Sequence, residues 1–267
     1  MPSHKDTATE GGAPMIPDQR RELIVRQLRK HQVLSVHQLM EMFECSHMTV
    51  RRDIALLEQE GRAYSVTGGV RIASQLHSEP SHQLKAVVEL PQKQAMAKLA
   101  AKLLRADMTV YLDAGTSTLE IVPYIKALSG MTVVTNDFGV VQALMDAAHV
   151  TVIHTGGQLD HSNHSCVGGL AVATLRQVVT DIAFISTSSW DLQRGITTPS
   201  ALKVEVKQVA MQSASQVVLV ASSSKYGTFS MYKIAGLEQF DSVISDNALA
   251  PAAADGIRKH GVELLLP

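Results

Sequence analysis

Residues 45–61 carry the clearest hydrophobic pattern in the first part of the chain. Apolar side chains recur there three and four residues apart, at Val50, Ile54 and Leu57. This spacing predicts a helix with one apolar face, and Met48 and Arg52 project from its opposite side. Ser46 is of a type that caps the start of a helix, and Gly61 is suited to end it. The helix should pack on one side and leave the other side free for a partner.

The segments on either side predict two more helices and a hairpin. An amphipathic helix spans residues 18–31, and Ser35 with Gln38 three residues later is a capping box that opens a second, short helix. Residues 62–72 alternate between apolar and polar positions and turn at Gly68–Gly69, which is typical of a hairpin. This order of elements is that of a winged helix-turn-helix, whose recognition helix enters the major groove of DNA.

The recognition helix alone is also consistent with an amphipathic surface helix that happens to carry two arginines. In context its sequence is more specific. Thr49-Val-Arg-Arg-Asp53, preceded by Arg20-Arg21 and followed by Gly68–Gly69, resembles the N-terminal module of the DeoR family of bacterial regulators of sugar metabolism. The resemblance implies that double-stranded operator DNA is contacted by Ser46, His47, Met48, Thr49, Arg51 and Arg52 on the helix and by Tyr64, Thr67, Gly68 and Gly69 on the wing.

From residue 91 onward, helical patterns alternate with short apolar runs. Predicted helices span 92–105, 118–128, 138–147, 171–179, 201–213 and 251–260, and predicted strands span 108–112, 131–134, 150–154, 181–186, 216–221, 240–245 and 262–266. Such alternation is typical of an α/β domain in which helices cover a mostly parallel sheet. We therefore divide the chain into a disordered tail (1–17), a winged helix-turn-helix domain (18–72), a linker (73–90) and an α/β effector domain (91–267).

Several loops that follow predicted strands carry side chains suited to a ligand, and open parallel sheets bind ligands beyond the carboxyl ends of their strands. The loop 113–118 offers a glycine and three hydroxyls before a helix, which suits a phosphate, although a capped turn without a ligand has the same pattern. Asn136 offers a donor and an acceptor, Gly156–Gly157 leave open space, and Lys225 supplies positive charge. Together these loops predict an anion-binding mouth.

The family resemblance continues through this domain. The motifs Leu-Asp-Ala-Gly-Thr-Ser-Thr (112–118), Val-Val-Thr-Asn (133–136) and Ser-Lys-Tyr-Gly (224–227) are similar to those of the DeoR effector domain, whose fold is like that of ribose-5-phosphate isomerases. The resemblance implies a phosphorylated sugar or sugar-acid effector held by Asp113, Gly115, Thr116, Ser117, Thr118, Thr135, Asn136, Gly156, Gly157, Lys207 and Lys225. The runs Ser-His-Met-Thr (46–49) and Ser-Ser-Trp (188–190) are similar to a subgroup linked to four-carbon sugar-acid catabolism.

Charge and cysteine content add little to this interpretation. The net charge is −1, and residues 18–72 hold nine basic and seven acidic residues, a net of +2. We therefore expect DNA affinity to depend on dimerisation and to be sensitive to salt. Cys45 and Cys166 are distant in sequence, no apolar run approaches the ~20 residues that span a membrane, and no apolar signal core begins the chain. We expect a cytoplasmic protein with reduced thiols and no contact with a membrane.

A metal site is the main alternative use of the loop that follows residue 153. His154, His161, His164 and Cys166 are all of metal-binding types, but their spacing matches no strong zinc pattern. We therefore predict neither a metal nor any other cofactor.

Three functions remain consistent with the sequence. The first is a homodimeric or larger repressor of a sugar or sugar-acid catabolic operon, released by a phosphorylated metabolite. The alternative is a sugar-phosphate isomerase-like enzyme with an attached DNA-binding module, with Asp113 as its general base. No second acid or base partner is evident, so we predict no catalytic residue. The third is a module that binds RNA or a protein through residues 18–72.

Overall fold

The structure is a computed structural model, and it describes residues 15–267. The first 14 residues of the tail predicted at 1–17 therefore lie outside the described residues. The first helix begins at Pro17 rather than at Asp18, and its N-cap position is Ile16. Proline suits this first helical position because the N–H that it lacks would have had no intrahelical partner.

The N-terminal domain has the predicted order of elements. Its helices are α1 (Pro17–His31), α2 (Val36–Phe43) and α3 (His47–Gln59), and its strands are β1 (Val33–Ser35), β2 (Ala63–Val66) and β3 (Gly69–Ile72). The capping box of Ser35 and Gln38 is confirmed at the start of α2. The strands form an antiparallel sheet in the order β1-β3-β2, in which Val66 pairs with Gly69. The hairpin therefore turns at Thr67-Gly68, one residue earlier than predicted.

The connecting segment 73–90 contains two short elements. Strand β4 (Ser74–Gln75) is followed by a loop and by helix α4 (His82–Val87), which Ser81 caps. Strand β4 pairs in parallel with β14 (Thr228–Phe229) of the C-terminal domain. The segment is thus joined to the body of the effector domain by backbone pairing.

The C-terminal domain is built around a parallel sheet of seven strands. Its strands, in addition to β14, are β5 (Thr109–Leu112), β6 (Thr132–Thr135), β7 (Thr151–His154), β8 (Gln158–Asp160), β9 (Ser165–Val167), β10 (Thr180–Ser186), β11 (Ser189–Asp191), β12 (Gly195–Thr198), β13 (Ala214–Val220), β15 (Tyr232–Ala235), β16 (Ser242–Ile244) and β17 (Glu263–Leu265). The main sheet has the order β17-β16-β13-β10-β5-β6-β7 with all neighbours parallel. The predicted α/β class is confirmed.

Helices cover both faces of this sheet. They are α5 (Leu90–Ala100), α6 (Thr116–Leu119), α7 (Val122–Ile125), α8 (Phe138–Leu144), α9 (Gly169–Leu175), α10 (Ala201–Gln212) and α11 (Pro251–Lys259). Successive side chains of a strand point to opposite faces. Val110 and Leu112 accordingly pack with α5, α7 and α8, whereas Tyr111 packs in the cluster that contains α9, α10 and α11. Within residues 15–267, no helix has the length and apolar character needed to cross a membrane.

Two features of this domain were not predicted. Strands β11, β12 and β15 form a small antiparallel sheet, and β8 pairs with β9 as a hairpin. The helix predicted at 118–128 is instead two single turns, α6 and α7, and Pro123 lies in the first turn of α7. Proline cannot donate a backbone hydrogen bond and so favours a new helix start over continuation.

Candidate DNA-binding and effector sites

The recognition helix α3 presents its predicted face to solvent. The Ser46 hydroxyl caps the helix by accepting a hydrogen bond from the Thr49 backbone N–H at 3.2 Å. His47, Met48, Arg51 and Arg52 are exposed, and Met48 keeps 72% of its surface accessible. On the opposite side, Val50, Ile54 and Leu57 are buried against α1 and α2. The face expected to enter a major groove is therefore exposed to solvent.

The acidic end of the Thr49-Val-Arg-Arg-Asp53 motif has a structural role. Buried Asp53 forms ion pairs with Arg20 and Arg21 of α1, and its hydrogen bond and charge raise the pKa of Arg20 despite partial burial. Arg51 and Arg52 have no acidic partner among the described residues. The motif thus combines an internal clamp between helices with two arginines that remain available to an anion.

The wing divides into an exposed tip and a buried base. Thr67 and Gly68 are exposed at the turn, where Gly68 has φ of 77°. Gly69, which was predicted to face DNA, is instead buried, and a side chain there would meet the Leu34 carbonyl oxygen. Gly69 therefore serves the close approach of β3 to β1.

Tyr64 corrects the assignment of the wing residues. It is fully buried, and its hydroxyl accepts a hydrogen bond from Arg194 of the effector domain at 3.1 Å. Its ring lies edge-on to Tyr226 with centroids 5.3 Å apart. Burial raises the pKa of Tyr64 above its ordinary value, and nearby Asp191 raises it further. Tyr64 belongs to the contact between the two domains and does not face DNA.

A cleft with four lysines lies beyond the carboxyl ends of β5 and β10. It has a cavity volume of about 30 Å³ and is lined by Glu79, Lys85, Ala114, Gly115, Thr116, Ser117, Asn163, Ser186, Thr187, Ser188, Thr197, Thr198, Lys203, Lys207 and Lys225. Of the predicted effector residues, the structure brings Gly115, Thr116, Ser117, Lys207 and Lys225 to this cleft. An anionic ligand is the natural occupant of such a lining, since ammonium groups bind phosphate and carboxylate.

The loop 113–118 is fixed by internal bonds that leave one hydroxyl unused. The Thr118 hydroxyl donates to the backbone oxygens of Asp113 and Gly115, at 2.6 and 2.8 Å. The hydroxyl of Thr116 points to the backbone oxygen of Lys85 at 3.4 Å. The Ser117 hydroxyl is buried and has no hydrogen-bond partner in the described part of the chain. Because buried hydroxyls are normally paired, the Ser117 hydroxyl keeps an unused capacity to form a hydrogen bond at the edge of the cleft.

Asp113 and Lys207 form a buried ion pair behind this loop. The Lys207 ammonium also donates to the Ser186 backbone oxygen at 2.9 Å. The same carboxylate oxygen of Asp113 accepts hydrogen bonds from the Ser186 N–H and hydroxyl, both at 2.9 Å. The pair therefore ties the end of β5 to the end of β10 and positions the loop.

Among the lysines of the cleft, Lys225 has no acidic ion-pair partner within residues 15–267. Its ammonium donates to the Thr187 backbone oxygen at 2.8 Å. Burial, together with the positive charges of Lys85 and Lys93, lowers the pKa of Lys225 to about 8. The group is thus mostly charged at neutral pH and would be stabilised in that state by a bound anion.

Two further predicted effector residues, Thr135 and Asn136, stabilise the strand ends around the site. The Asn136 side chain accepts from the Tyr111 hydroxyl and the Ala114 N–H and donates to the Cys166 oxygen. The Thr135 hydroxyl donates to the Leu112 backbone oxygen at 2.7 Å. These bonds position the ends of β5 and β6 and leave Asn136 one free donor.

The glycine pair lies away from the lysine-lined cleft. Gly156 has open space around it, and a side chain at Gly157 would meet the Val167 backbone oxygen at 2.8 Å. Gly157 therefore serves the packing of the loop that leads into β8. Asp137 caps α8, as its position before that helix indicated, and its second oxygen accepts from the Gly115 N–H at 2.9 Å.

Three charged residues of the cleft were missed by the sequence interpretation. Lys85 and Glu79 lie in the segment taken as a linker, which lacks hydrophobic periodicity. Lys203 lies four residues before Lys207 on α10, and this spacing puts both lysines on one helix face. That spacing was the available signal for Lys203, because both lysines interrupt the buried side of a predicted helix.

The histidines of the 154–166 region make separate contacts. His164 stacks on His82 with ring centroids 4.8 Å apart, and His154 packs against Phe138 at 4.7 Å. In residues 15–267, no group of three His, Cys, Asp or Glu side chains is arranged to hold a metal ion.

The α/β domain can be compared with solved structures. A D-ribose-5-phosphate isomerase in complex with phospho-erythronic acid matches 50% of this chain and 52% of its own, at 14% identity and a TM-score of 0.37. RipA from Yersinia pestis matches 63% of this chain and 45% of its own, at 11% identity and a TM-score of 0.42. The chain thus spans about half the length of either protein.

Relatives in sequence cover nearly the whole chain. The HTH-type transcriptional regulator YgbI of Escherichia coli (strain K12) is 41% identical over 252 residues, which are 94% of this chain and 98% of YgbI. A putative aga operon transcriptional repressor of Escherichia coli O157:H7 is 31% identical over 93% of each chain. Residues 20–76 match the DeoR-like helix-turn-helix domain, and residues 89–247 match the DeoR C terminal sensor domain. The chain therefore belongs to the DeoR family of helix-turn-helix transcriptional regulators.

Proposed function

We propose that this protein represses a sugar or sugar-acid catabolic operon and is released from its operator by a phosphorylated metabolite bound in the lysine-lined cleft. One observation carries the proposal: the same chain joins an exposed recognition helix to a cleft with four lysines. Within residues 15–267, Arg51 and Arg52 on the helix have no acidic partner, and the cleft holds a buried hydroxyl without a hydrogen-bond partner. Each half suits a different anion. DNA phosphates and base edges suit the first half, and a small phosphorylated molecule suits the second.

On the DNA side, Ser46, His47, Met48 and Thr49 lie at the start of the helix, the part that reaches base edges in helix-turn-helix complexes. Arg51 and Arg52 would clamp phosphate or read guanine, and the exposed wing tip would lie along the backbone. Two copies related by two-fold symmetry would bind the two halves of a near-palindromic operator. The weak positive charge of the domain makes this pairing of subunits important for affinity.

On the effector side, a phosphate would be held near Thr116, Ser117 and Lys225. The Asp113–Lys207 pair would hold the loop in place. Release from DNA requires that the effector bind the two domain arrangements with different affinities, by ~1–3 kcal/mol. The contact between the domains connects the cleft to the recognition helix. Lys225 faces the cleft, and the hydroxyl of the next residue, Tyr226, donates a hydrogen bond to Glu58 of α3 at 2.8 Å.

The isomerase alternative has less support. Its general base, Asp113, contacts Lys207 and Ser186 through one carboxylate oxygen, and these contacts hold two strands together. Its other oxygen is buried and has no hydrogen-bond partner in residues 15–267, and a general base would use it only with a substrate proton within reach. The relatives are named as transcriptional regulators, in line with a binding role for this carboxylate.

In vitro transcription from promoters next to the gene tests the proposal. We expect purified protein to lower transcript yield from one of them, and one phosphorylated sugar or sugar acid to restore it. An increase in transcript on adding the protein would make it an activator. No effect on any neighbouring promoter would contradict the proposed function.

A further inference from the structure

We propose that the carboxylate of Glu79 occupies a second anion subsite of the cleft, and that a carboxylate of the effector replaces it there. The effector is then a sugar acid that also carries a phosphate. This inference rests on the proposed function, because it takes the lysine-lined cleft as the place where the effector binds.

The surroundings of Glu79 are those of a bound carboxylate. Its two oxygens pair with the ammonium groups of Lys203 at 3.0 Å and Lys85 at 3.1 Å, and the Ser188 hydroxyl donates to it at 3.3 Å. Burial alone would raise the pKa of Glu79, but the two lysines lower it to about 2, so the group is ionised at neutral pH. A carboxylate from a ligand would find the same three donors, which are of the type that binds such groups strongly.

The contacts of its side chain, and not hydrogen bonds of the surrounding backbone, hold Glu79 in the cleft. Residues 77–81 form neither helix nor strand, and among the described residues none of their backbone N–H groups donates to another backbone group. His77, Ser78, Pro80 and Ser81 are exposed, whereas the Glu79 side chain is only 9% exposed. Withdrawal of this side chain would therefore break two ion pairs and one hydrogen bond and little else in the loop.

The available space also depends on Glu79. The cleft has a cavity volume of only about 30 Å³, too small for a sugar phosphate. A second cavity of about 420 Å³ lies on the outer side and is also lined by Glu79 and Lys203. Sites for small organic ligands typically start at about 300 Å³. Departure of the Glu79 carboxylate would join the two spaces and admit a sugar-sized molecule.

The charges that remain after withdrawal define the class of ligand. Lys203 keeps Asp160 as a partner at 3.0 Å, and Lys207 keeps Asp113. Lys85 has no acidic partner other than Glu79 in residues 15–267, and Lys225 has none there. A phosphate at Lys225 and a carboxylate at Lys85 would compensate both charges. An aldose phosphate would leave Lys85, whose side chain is 17% exposed, without a counter-charge, which is unfavourable.

Calorimetric titration of the full chain with matched ligands tests the inference. The probes are inorganic phosphate and pairs of an aldose phosphate and its aldonic-acid phosphate with four, five and six carbons. For wild type we expect one aldonic-acid phosphate to bind about tenfold or more tightly than its aldose partner, because its carboxylate gains charge-assisted hydrogen bonds that the aldose lacks. Glu79→Gln removes the competing charge and should tighten binding of all probes about tenfold. Glu205→Gln, which alters an exposed ion pair with Arg176, is the matched control and should leave binding unchanged.

The outcomes separate this inference from the proposed function. If a sugar phosphate binds and releases DNA but Glu79→Gln binds it equally or more weakly, Glu79 is not a competitor and only the inference is overturned. Equal or tighter binding of the aldose phosphate by wild type overturns it without any variant, so a folding defect in Glu79→Gln cannot obscure the result. If no probe binds wild type or either variant, the proposed effector site and the inference both fail.

Discussion

A substitution at Arg52 should weaken DNA binding without disturbing the fold. Its side chain is exposed on α3 and has no acidic partner in the described chain. We expect Arg52→Ala to weaken operator binding by about tenfold or more, since a bidentate base contact contributes ~1–3 kcal/mol. Binding measured across a salt series checks this, with the exposed Arg176→Ala as control. Unchanged affinity for operator at every salt concentration would remove Arg52 from the DNA interface.

A substitution at Thr116 should abolish effector binding without affecting DNA binding. It lies in the cleft and is 6% exposed. Thr116→Glu would put negative charge where an anion is expected, so induction should be lost while operator affinity is kept. Thr151→Glu introduces the same charge at an exposed position at the start of β7, the far end of the sheet, and should remain inducible. Normal induction of Thr116→Glu would show that the anion binds elsewhere.

Lys225 should make effector binding depend on pH. Its ammonium is charged below a pKa of about 8 and becomes neutral above it. An anion binds the charged form, so affinity should fall as the pH rises from 7 to 9, a range in which a phosphate monoester stays mostly dianionic because its second pKa is ~6. Titrations at constant ionic strength measure this. Lys225→Arg keeps its charge throughout and should flatten the dependence; an equally steep fall in that variant would assign the titration to another group.

At the scale of elements, the loop 222–229 connects cleft and recognition helix. The Tyr226 hydroxyl donates to buried Glu58, and the Tyr226 ring packs edge-on to Trp190, whose indole N–H donates to the Ser222 backbone oxygen at 3.2 Å. The aromatic pair thus holds the loop that carries Lys225 against α3. A shift of Lys225 on binding an anion would be transmitted through one peptide unit.

Tyr226→Phe tests this connection. It removes the hydrogen bond to the Glu58 carboxylate, and bonds to charged groups contribute ~1.5–3 kcal/mol. We expect calorimetry to show the N-terminal domain unfolding at lower temperature and separately from the effector domain, and inducer to release DNA less completely. Tyr124→Phe, at a partly exposed tyrosine of α7, serves as control. A single, unshifted transition with full induction would exclude the contact as the coupling element.

Elements that depend on residues close in sequence were predicted, and elements that depend on contacts between distant residues were missed. The capping box of α2 and the apolar face of α3 involve residues three and four apart, and both are confirmed. Strands β11 and β12 are short, and their sheet is completed by β15, more than thirty residues further along the chain. Tyr64 was assigned to DNA by the family resemblance, and alternation in the wing could not correct this, because it does not distinguish a face toward DNA from a face toward the second domain. Glu79 and Lys85 carry no periodic signal and became visible only when the fold brought them to the cleft.

At the scale of the whole molecule, two-fold symmetry would fix the spacing of operator half-sites. In dimeric helix-turn-helix proteins, recognition helices enter major grooves one helical turn apart, ~34–36 Å or 10–10.5 base pairs, or a multiple of this. Inserting five base pairs between half-sites should therefore abolish tight binding. Inserting ten base pairs returns the two half-sites to the same side of the DNA, so this insertion should recover more affinity than the insertion of five. Equal binding to all three spacings would argue against a rigid symmetric dimer.

The central claim is that one chain binds a specific operator and gives it up to a phosphorylated metabolite. Fluorescence anisotropy of labelled DNA from upstream of the gene and its neighbours, with and without phosphorylated four- to six-carbon sugars and sugar acids, tests both halves at once. We predict tight, sequence-specific binding that one compound relieves. Absence of duplex binding at low salt with intact protein would contradict the account and direct attention to turnover by the effector domain.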